Sequence, residues 1–219
     1  FAALARAAER CPGDFNVQEL ANTAWAFATA TQSDAQLFAA LARVAEWRLG
    51  DFNVQDLANT AWAFATLGQP DAPLFTALAR EAERRVRDFN PQNLANTAWA
   101  YAAADRPAPA LFGGDAFVQR CEAERGFLPE ELSQLHQWQL WQEERGAAWP
   151  PLPPALAQRC RDAFCTWCSG SAAVRPRARL RALVGRLGLL LNLAAELEQH
   201  LVRVRVRVRV RVRVRVRVR

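Results

Sequence analysis

Among the side chains able to do chemistry, the thiols come first. Cys160, Cys165 and Cys168 contain a C-x2-C pair, and His136 is the imidazole nearest to them in sequence. A zinc site built on them needs a fourth ligand brought by the fold, because no second C-x2-C follows. A redox pair would open a helix that follows a strand, which is not the context here, and buried, inert thiols are the plain alternative. Five cysteines in 219 residues do not make a disulfide framework and suit a reducing compartment. Carboxylates are plentiful, yet no Gly-rich phosphate loop, Ser/His/Asp set or paired acid cluster emerges, because the acids take capping and surface positions. No catalytic residue, metal or cofactor is therefore expected.

The chemistry that does recur is that of amides, indoles and guanidinium groups. Gln18, Asn22 and Trp25 return as Gln55, Asn59 and Trp62, and again as Gln92, Asn96 and Trp99. Amides can bond base edges, and an indole offers a stacking surface. Asn inside a helix competes for backbone hydrogen bonds, so three identical placements need a reason, and an inter-unit hydrogen-bond ladder is the structural one. A position that reads bases should differ between units. The trio does not, and the three Trp are accordingly expected in the core. Glu19, Asp56 and Asn93 do vary, as do Thr29, Thr66 and Ala103, which makes them the better readout candidates, with a solvated face as the alternative. Arg6, Arg43 and Arg80 share one equivalent position; Arg10 and Arg84 lie one turn further along, with Trp47 between them in register. Such a column could track phosphates. It could equally pair with Glu9, Glu46 or Glu83 on exposed helices.

The elements that position these residues follow from self-similarity. Phe15 to Phe27 returns as Phe52 to Phe64 with one change and as Phe89 to Tyr101 with three more, a period of 37 residues. Phe1, Phe38, Phe75 and Phe112 keep the same step. A fourth, decayed copy starts one residue late at Phe127, and its Trp138 is displaced by one as well. Asn16, Asn53 and Asn90 precede Val17, Val54 and Pro91, an N-cap pattern with a polar residue three positions on. Leu20, Ala21, Ala24, Phe27, Ala28, Val17 and Trp25 fall on one arc of the helix that follows, predicting its core face. A second helix, Ala72 to Val86 in the second unit, follows the turn Gly68-Gln-Pro-Asp71.

Helix pairs at this period predict an all-α protein: a right-handed-type α-solenoid of helix-turn-helix repeats over residues 1–168. The Pro-rich stretch Trp149 to Pro154 separates its last two helices. An Arg/Leu-rich helical segment is expected over 172–201 and a low-complexity tail over 202–219.

The phrase Phe-Asn-Pro-Gln-Asn-Leu-Ala-Asn-Thr-Ala-Trp-Ala-Tyr at Phe89 to Tyr101 resembles the octotricopeptide-repeat signature. It also resembles the helical repeats of FAST-kinase-domain proteins and of the RNA-editing substrate-binding complex type domain. Val174 to Gly188 resembles the opening helix of a RAP domain, a small nuclease-like module. These resemblances imply an RNA-binding factor of the mitochondrial matrix, or alternatively the plastid stroma, acting on organellar transcripts or rRNA in processing, stability or translation. Protein partners in an RNA-processing complex are implied too. A protein-interaction scaffold is the other reading, and an RNA nuclease a third.

Charge separates the body from the tail. The formal charge of +6 includes nine Arg in the (Val-Arg)9 run from Val202 to Arg219; residues 1–202 hold 19 Arg against 22 acids, a charge of −3. A uniformly basic nucleic-acid domain is thereby excluded. The alternating tail reads as low complexity, extended by mutual Arg repulsion, and would bind RNA or anionic lipid without specificity. The chain opens on Phe1 inside a helical pattern and contains no Met, which predicts a piece of a longer protein. Its longest apolar run near the end, Leu187 to Ala195, is too short for a membrane span.

Overall fold

The computed structural model describes residues 15–170, with side chains through Cys168. Arg6, Arg10, Phe1, the 172–201 segment and the tail lie outside the described residues. The chain divides into two units, Phe1–Phe164 and Cys165–Arg219, and the repeat array belongs to the first. In chain order the helices are α1 (Val17–Thr29), α2 (Ala35–Arg48), α3 (Val54–Thr66), α4 (Ala72–Arg85), α5 (Pro91–Ala104), α6 (Pro109–Phe112), α7 (Ala116–Ala123), α8 (Pro129–Arg145) and α9 (Pro154–Gly170). Among the described residues every regular element is helical, as an all-α solenoid requires.

Local chemistry sets each helix start. The side-chain oxygens of Asn16, Asn53 and Asn90 each accept the backbone N–H three residues on, all at 2.8 Å. Asp34 and Asp71 do the same for α2 and α4, taking the N–H groups of Leu37 and Leu74 at 3.1 and 2.9 Å. The ends of α1, α3 and α5 share another device. Thr31, Gly68 and Asp105, spaced by the repeat, all adopt left-handed backbone with φ of 54°, 64° and 52°. The following amides then turn back, Gln32 to Phe27 O, Gln69 to Phe64 O and Arg106 to Tyr101 O, at 2.9 to 3.0 Å. The third unit departs from the expected single second helix, because Gly113-Gly114 breaks it into α6 and α7.

Packing makes two layers. Each first helix lies mainly on the next first helix, α1 on α3, α3 on α5 and α5 on α8, while α2, α4 and α6 stack alongside. Buried alanines such as Ala58, Ala61, Ala95 and Ala98 allow that approach. Between the layers an aromatic pair recurs every unit: Phe38 on Phe64 at 4.8 Å between ring centroids, Phe75 on Tyr101 at 5.2 Å and Phe112 on Trp138 at 5.1 Å. Each pair spans 26 residues, from a second helix to the next first helix. Trp138 therefore belongs to the Phe64 and Tyr101 column, in register at 37 residues, and is not a displaced copy of Trp99. The buried Tyr101 hydroxyl donates to Phe75 O at 2.7 Å, satisfying a polar group that Phe lacks.

A further clamp repeats. Arg48 Nη1 donates to Phe15 O at 2.6 Å, and Arg85 Nη1 donates to Phe52 O, so each of these second helices ties down the segment leading into its own first helix. Both Arg occupy one repeat position, a spacing visible in the sequence beside that of the Arg43 and Arg80 column. No helix among the described residues is long and apolar enough to cross a membrane.

The shared left-handed position yields a paired prediction. Thr is β-branched and pays a steric penalty at positive φ that Gly68 avoids. Thr31→Gly should raise stability by about 0.5–1 kcal/mol, and Gly68→Thr should lower it by about 1 kcal/mol, measured by denaturant midpoint at unchanged slope. Equal effects of the same sign would contradict the shared turn.

Candidate nucleic-acid interface

The repeated trio forms a strip along the first-helix layer, on the side turned away from the interlayer core. Gln18, Gln55 and Gln92 are exposed in all three units. Asn22 is exposed, whereas Asn59 and Asn96 are half-buried, and Asn96 Oδ1 accepts from Gln134 Nε2 of α8 at 3.2 Å. Thr29 Oγ1 donates back to Trp25 O at 2.9 Å. None of the side chains at positions 18, 22, 25 and 29, or at their counterparts 55, 59, 62, 66, 92, 96, 99 and 103, is charged.

The three Trp are not equivalent, which corrects the expectation that all are core. Trp25 is 45% exposed, Trp62 is half-buried and Trp99 is 7% exposed. Their indoles sit where the apolar arc meets solvent, so burial depends on what the following helix supplies. Trp62 and Trp99 lie with ring centroids 6.3 Å apart, tilted by 37°. On the far side of Trp99, α8 offers Gln137, whose Oε1 accepts from Trp99 Nε1 at 3.2 Å while its Nε2 donates to Ser133 O. Gln134 and Gln137 therefore supply the amide ladder at the last step. The sequence hid them because the fourth copy no longer spells the motif.

The varying column turns out to serve helix starts. Glu19 and Asp56 carboxylates accept the N–H groups of Asn16 at 2.8 Å and Asn53 at 3.2 Å, closing capping boxes. Asp56 is 5% and Asn93 2% exposed, so these two are removed from the readout candidates by burial; Glu19 stays exposed but is occupied by its cap. Of the second varying column, Thr66 and Ala103 are half-buried.

The Arg column lies on the other layer. Arg43 and Arg80 are exposed, project from α2 and α4 opposite the buried Leu41 and Leu78 sides, and make no ion pair among the described residues. Arg84 pairs with Glu81 at 3.3 Å rather than with Glu83. Trp47 stands beside Arg43, 90% exposed. The amide strip and the guanidinium column thus occupy outward faces of different layers.

Burial disfavours the thiolate form at three of the described cysteines. Burial pushes Cys160 up to about 12 and Cys168 up to about 11, the latter also through Cys165. Cys121 is raised as well, first by burial and then by Cys160. Such groups stay protonated near neutrality, opposite to an activated thiolate. His136 packs at 5.1 Å on Phe164, and no cluster of potential metal ligands occurs among the described residues.

The Trp gradient predicts a stability gradient. Trp99→Ala should cost about 3–5 kcal/mol as a buried ring with its hydrogen bond lost, and Trp25→Ala less than about 1 kcal/mol. Chemical denaturation of the two variants checks this; equal losses would mean that Trp25 is covered in solution.

Residues 2–107 match the family model of the Tbc2 translation factor, N-terminal domain. No curated protein matches the chain. The matched stretch takes in all three copies of the trio and ends just past α5, so the similarity falls on the part of the array that carries the amide strip.

Proposed function

We propose that the chain is a single-stranded RNA-binding helical array acting in organellar RNA processing, stability or translation, of the octotricopeptide-like kind its repeats resemble. The observation that carries this reading is the uncharged strip of Gln18, Gln55 and Gln92 with Asn22 and Asn59, repeated in register along one layer. Amides in a row offer paired donors and acceptors to unstacked bases, while the exposed part of Trp25 offers a surface for stacking. Arg43, Arg80 and Arg84 add a sequence-blind attraction from the second-helix layer. The similarity to a translation factor's N-terminal domain supports the same assignment. In this reading the protein is a binding module without catalytic residues or cofactor, placed in the mitochondrial matrix or the plastid stroma, with protein partners of an RNA-processing complex as company.

A scaffold for protein partners is the second reading. It is favoured by Trp47, which is 90% exposed beside Arg43, since indole and guanidinium groups are the residues that most often anchor protein interfaces.

RNA crosslinking and sequencing, done with the whole chain and with the chain shortened by the (Val-Arg)9 tail, separates the two. A defined set of transcripts recovered by both forms supports the RNA assignment, and no enrichment over background without the tail overturns it. Arg43 and Arg80 changed together to Gln should weaken all RNA sequences alike. The slope of log affinity against log salt should shallow by roughly 0.7 for each lost contact, about 1.4 in all. An unchanged slope would return the Arg column to plain solvation.

A further inference from the structure

We infer that the cleft where α2 meets the turn into α4 seats one apolar side chain of an acidic protein segment, whose carboxylates lie against Arg43 and whose chain runs on to Trp47. This rests on the protein-partner reading and names the partner's chemistry. The cleft holds about 190 Å³ between Ala35, Phe38 and Ala39 of α2, Phe64 of α3 and the turn Gly68 to Asp71. A cavity of about 150 Å³ takes a benzene ring, so a Phe or Leu side chain fits. Its polar neighbours are engaged: Gln69 Nε2 donates to Ser33 Oγ at 3.3 Å, and Asp71 Oδ1 accepts the Leu74 N–H at 2.9 Å. The floor of Phe38 and Phe64 therefore offers apolar contact rather than partners for a base edge. In the next unit larger side chains take the corresponding positions: Tyr101 for Phe64, Asp105 for Gly68 and Arg106 for Gln69. The seat thus belongs to one step of the array and calls for one anchor.

A ridge leads away from the seat. Ala35, Ala39, Arg43 and Trp47 recur every fourth residue of α2 and are all exposed. At about 1.5 Å per residue the ridge runs about 18 Å, the reach of about five or six extended residues. Charge complementarity makes those residues acidic. On α2 and α4 the exposed charges are Arg43, Arg80 and Arg84 against Glu83, although the body as a whole is net acidic. Arg43 and Arg80 make no ion pair among the described residues, so their guanidinium groups are open to a carboxylate. Asp71 at the cleft rim, with Glu46 beside it, keeps carboxylates out of the seat itself and leaves it to the apolar anchor. At the far end Trp47, 90% exposed, supplies the kind of side chain on which protein interfaces concentrate their affinity.

Two labelled peptides, Phe-Glu-Glu-Glu-Glu-Leu and the same with Ala for Phe, test this by fluorescence anisotropy with the whole chain at raised salt, which screens attraction to the Arg tail. The Phe peptide should bind roughly tenfold more tightly than the Ala peptide. Ala39→Phe fills the cleft from an exposed position and should erase that difference. Trp47→Ala and Arg43→Glu, both at exposed positions, should keep the fold and weaken the Phe peptide by roughly tenfold each. The tail is common to all these variants, so changes among them report the ridge alone. Equal binding of the two peptides, or binding indifferent to all three substitutions, would overturn the proposal and leave the protein-partner reading standing. Displacement of the Phe peptide by oligo(U), with oligo(U) binding lost in Trp47→Ala, would give the face to RNA and refute it too. Recovery of the chain from its native extract with no protein bound would sink both the proposal and the protein-partner reading.

Discussion

The ring contact between a second helix and the next first helix is what turns separate helix pairs into an array. Phe38 on Phe64, Phe75 on Tyr101 and Phe112 on Trp138 are the same contact made three times, each fully buried and each crossing a unit boundary. A helix pair alone would leave half of every such contact in water, and an aromatic side chain contributes 150–250 Å² of buried surface. No unit is therefore self-sufficient, and stability grows with neighbours as in other quasi-one-dimensional proteins. The third contact shows how firmly this constraint is held. The fourth copy has lost the Asn cap and the amide trio, yet it keeps a large ring at residue 138, and its chain enters α8 one residue late without disturbing that register.

Once the aromatic column fixes the interlayer face, the remaining faces follow. Alanine on the flanks lets the first helices close on one another, so only a narrow polar strip of each remains in water. At one equivalent position beside that strip Asp56 and Asn93 are buried whereas Glu19 is exposed. The second helices stack less intimately and keep a wider exposed face, with Arg43, Trp47, Arg80 and Arg84 on it. An acidic body can still accommodate a polyanion where the surface that meets it is uncharged, because net charge acts only through screened, longer distances.

Much of this architecture was legible in the chain. The helix starts at Asn16, Asn53 and Asn90, the boundaries of the first helices and the core residues Leu20, Ala24 and Phe27 follow from cap chemistry and helical spacing, both local properties. What escaped was set by neighbours. Burial of the indoles depends on the next helix, so three identical Trp end in three environments. The role of Trp138 depends on which second-helix ring it meets, and counting from Phe127 assigned it to the wrong column. Arg48 and Arg85 share a repeat position, but a bond to a carbonyl 33 residues away leaves no local sign of what each holds.

The contrast between the two polar columns follows from the same logic. A residue that varies between repeats invites a reading in terms of specificity, and Glu19, Asp56 and Asn93 vary. Variation there is tolerated because an N3 position is met by the cap oxygen through its own backbone N–H, and each of these side chains permits that bond. The Gln positions lie one residue earlier and point to solvent, so packing does not demand that they match. Their sameness therefore follows from neither packing nor capping, in contrast to the aromatic column, whose sameness its own ring contacts require.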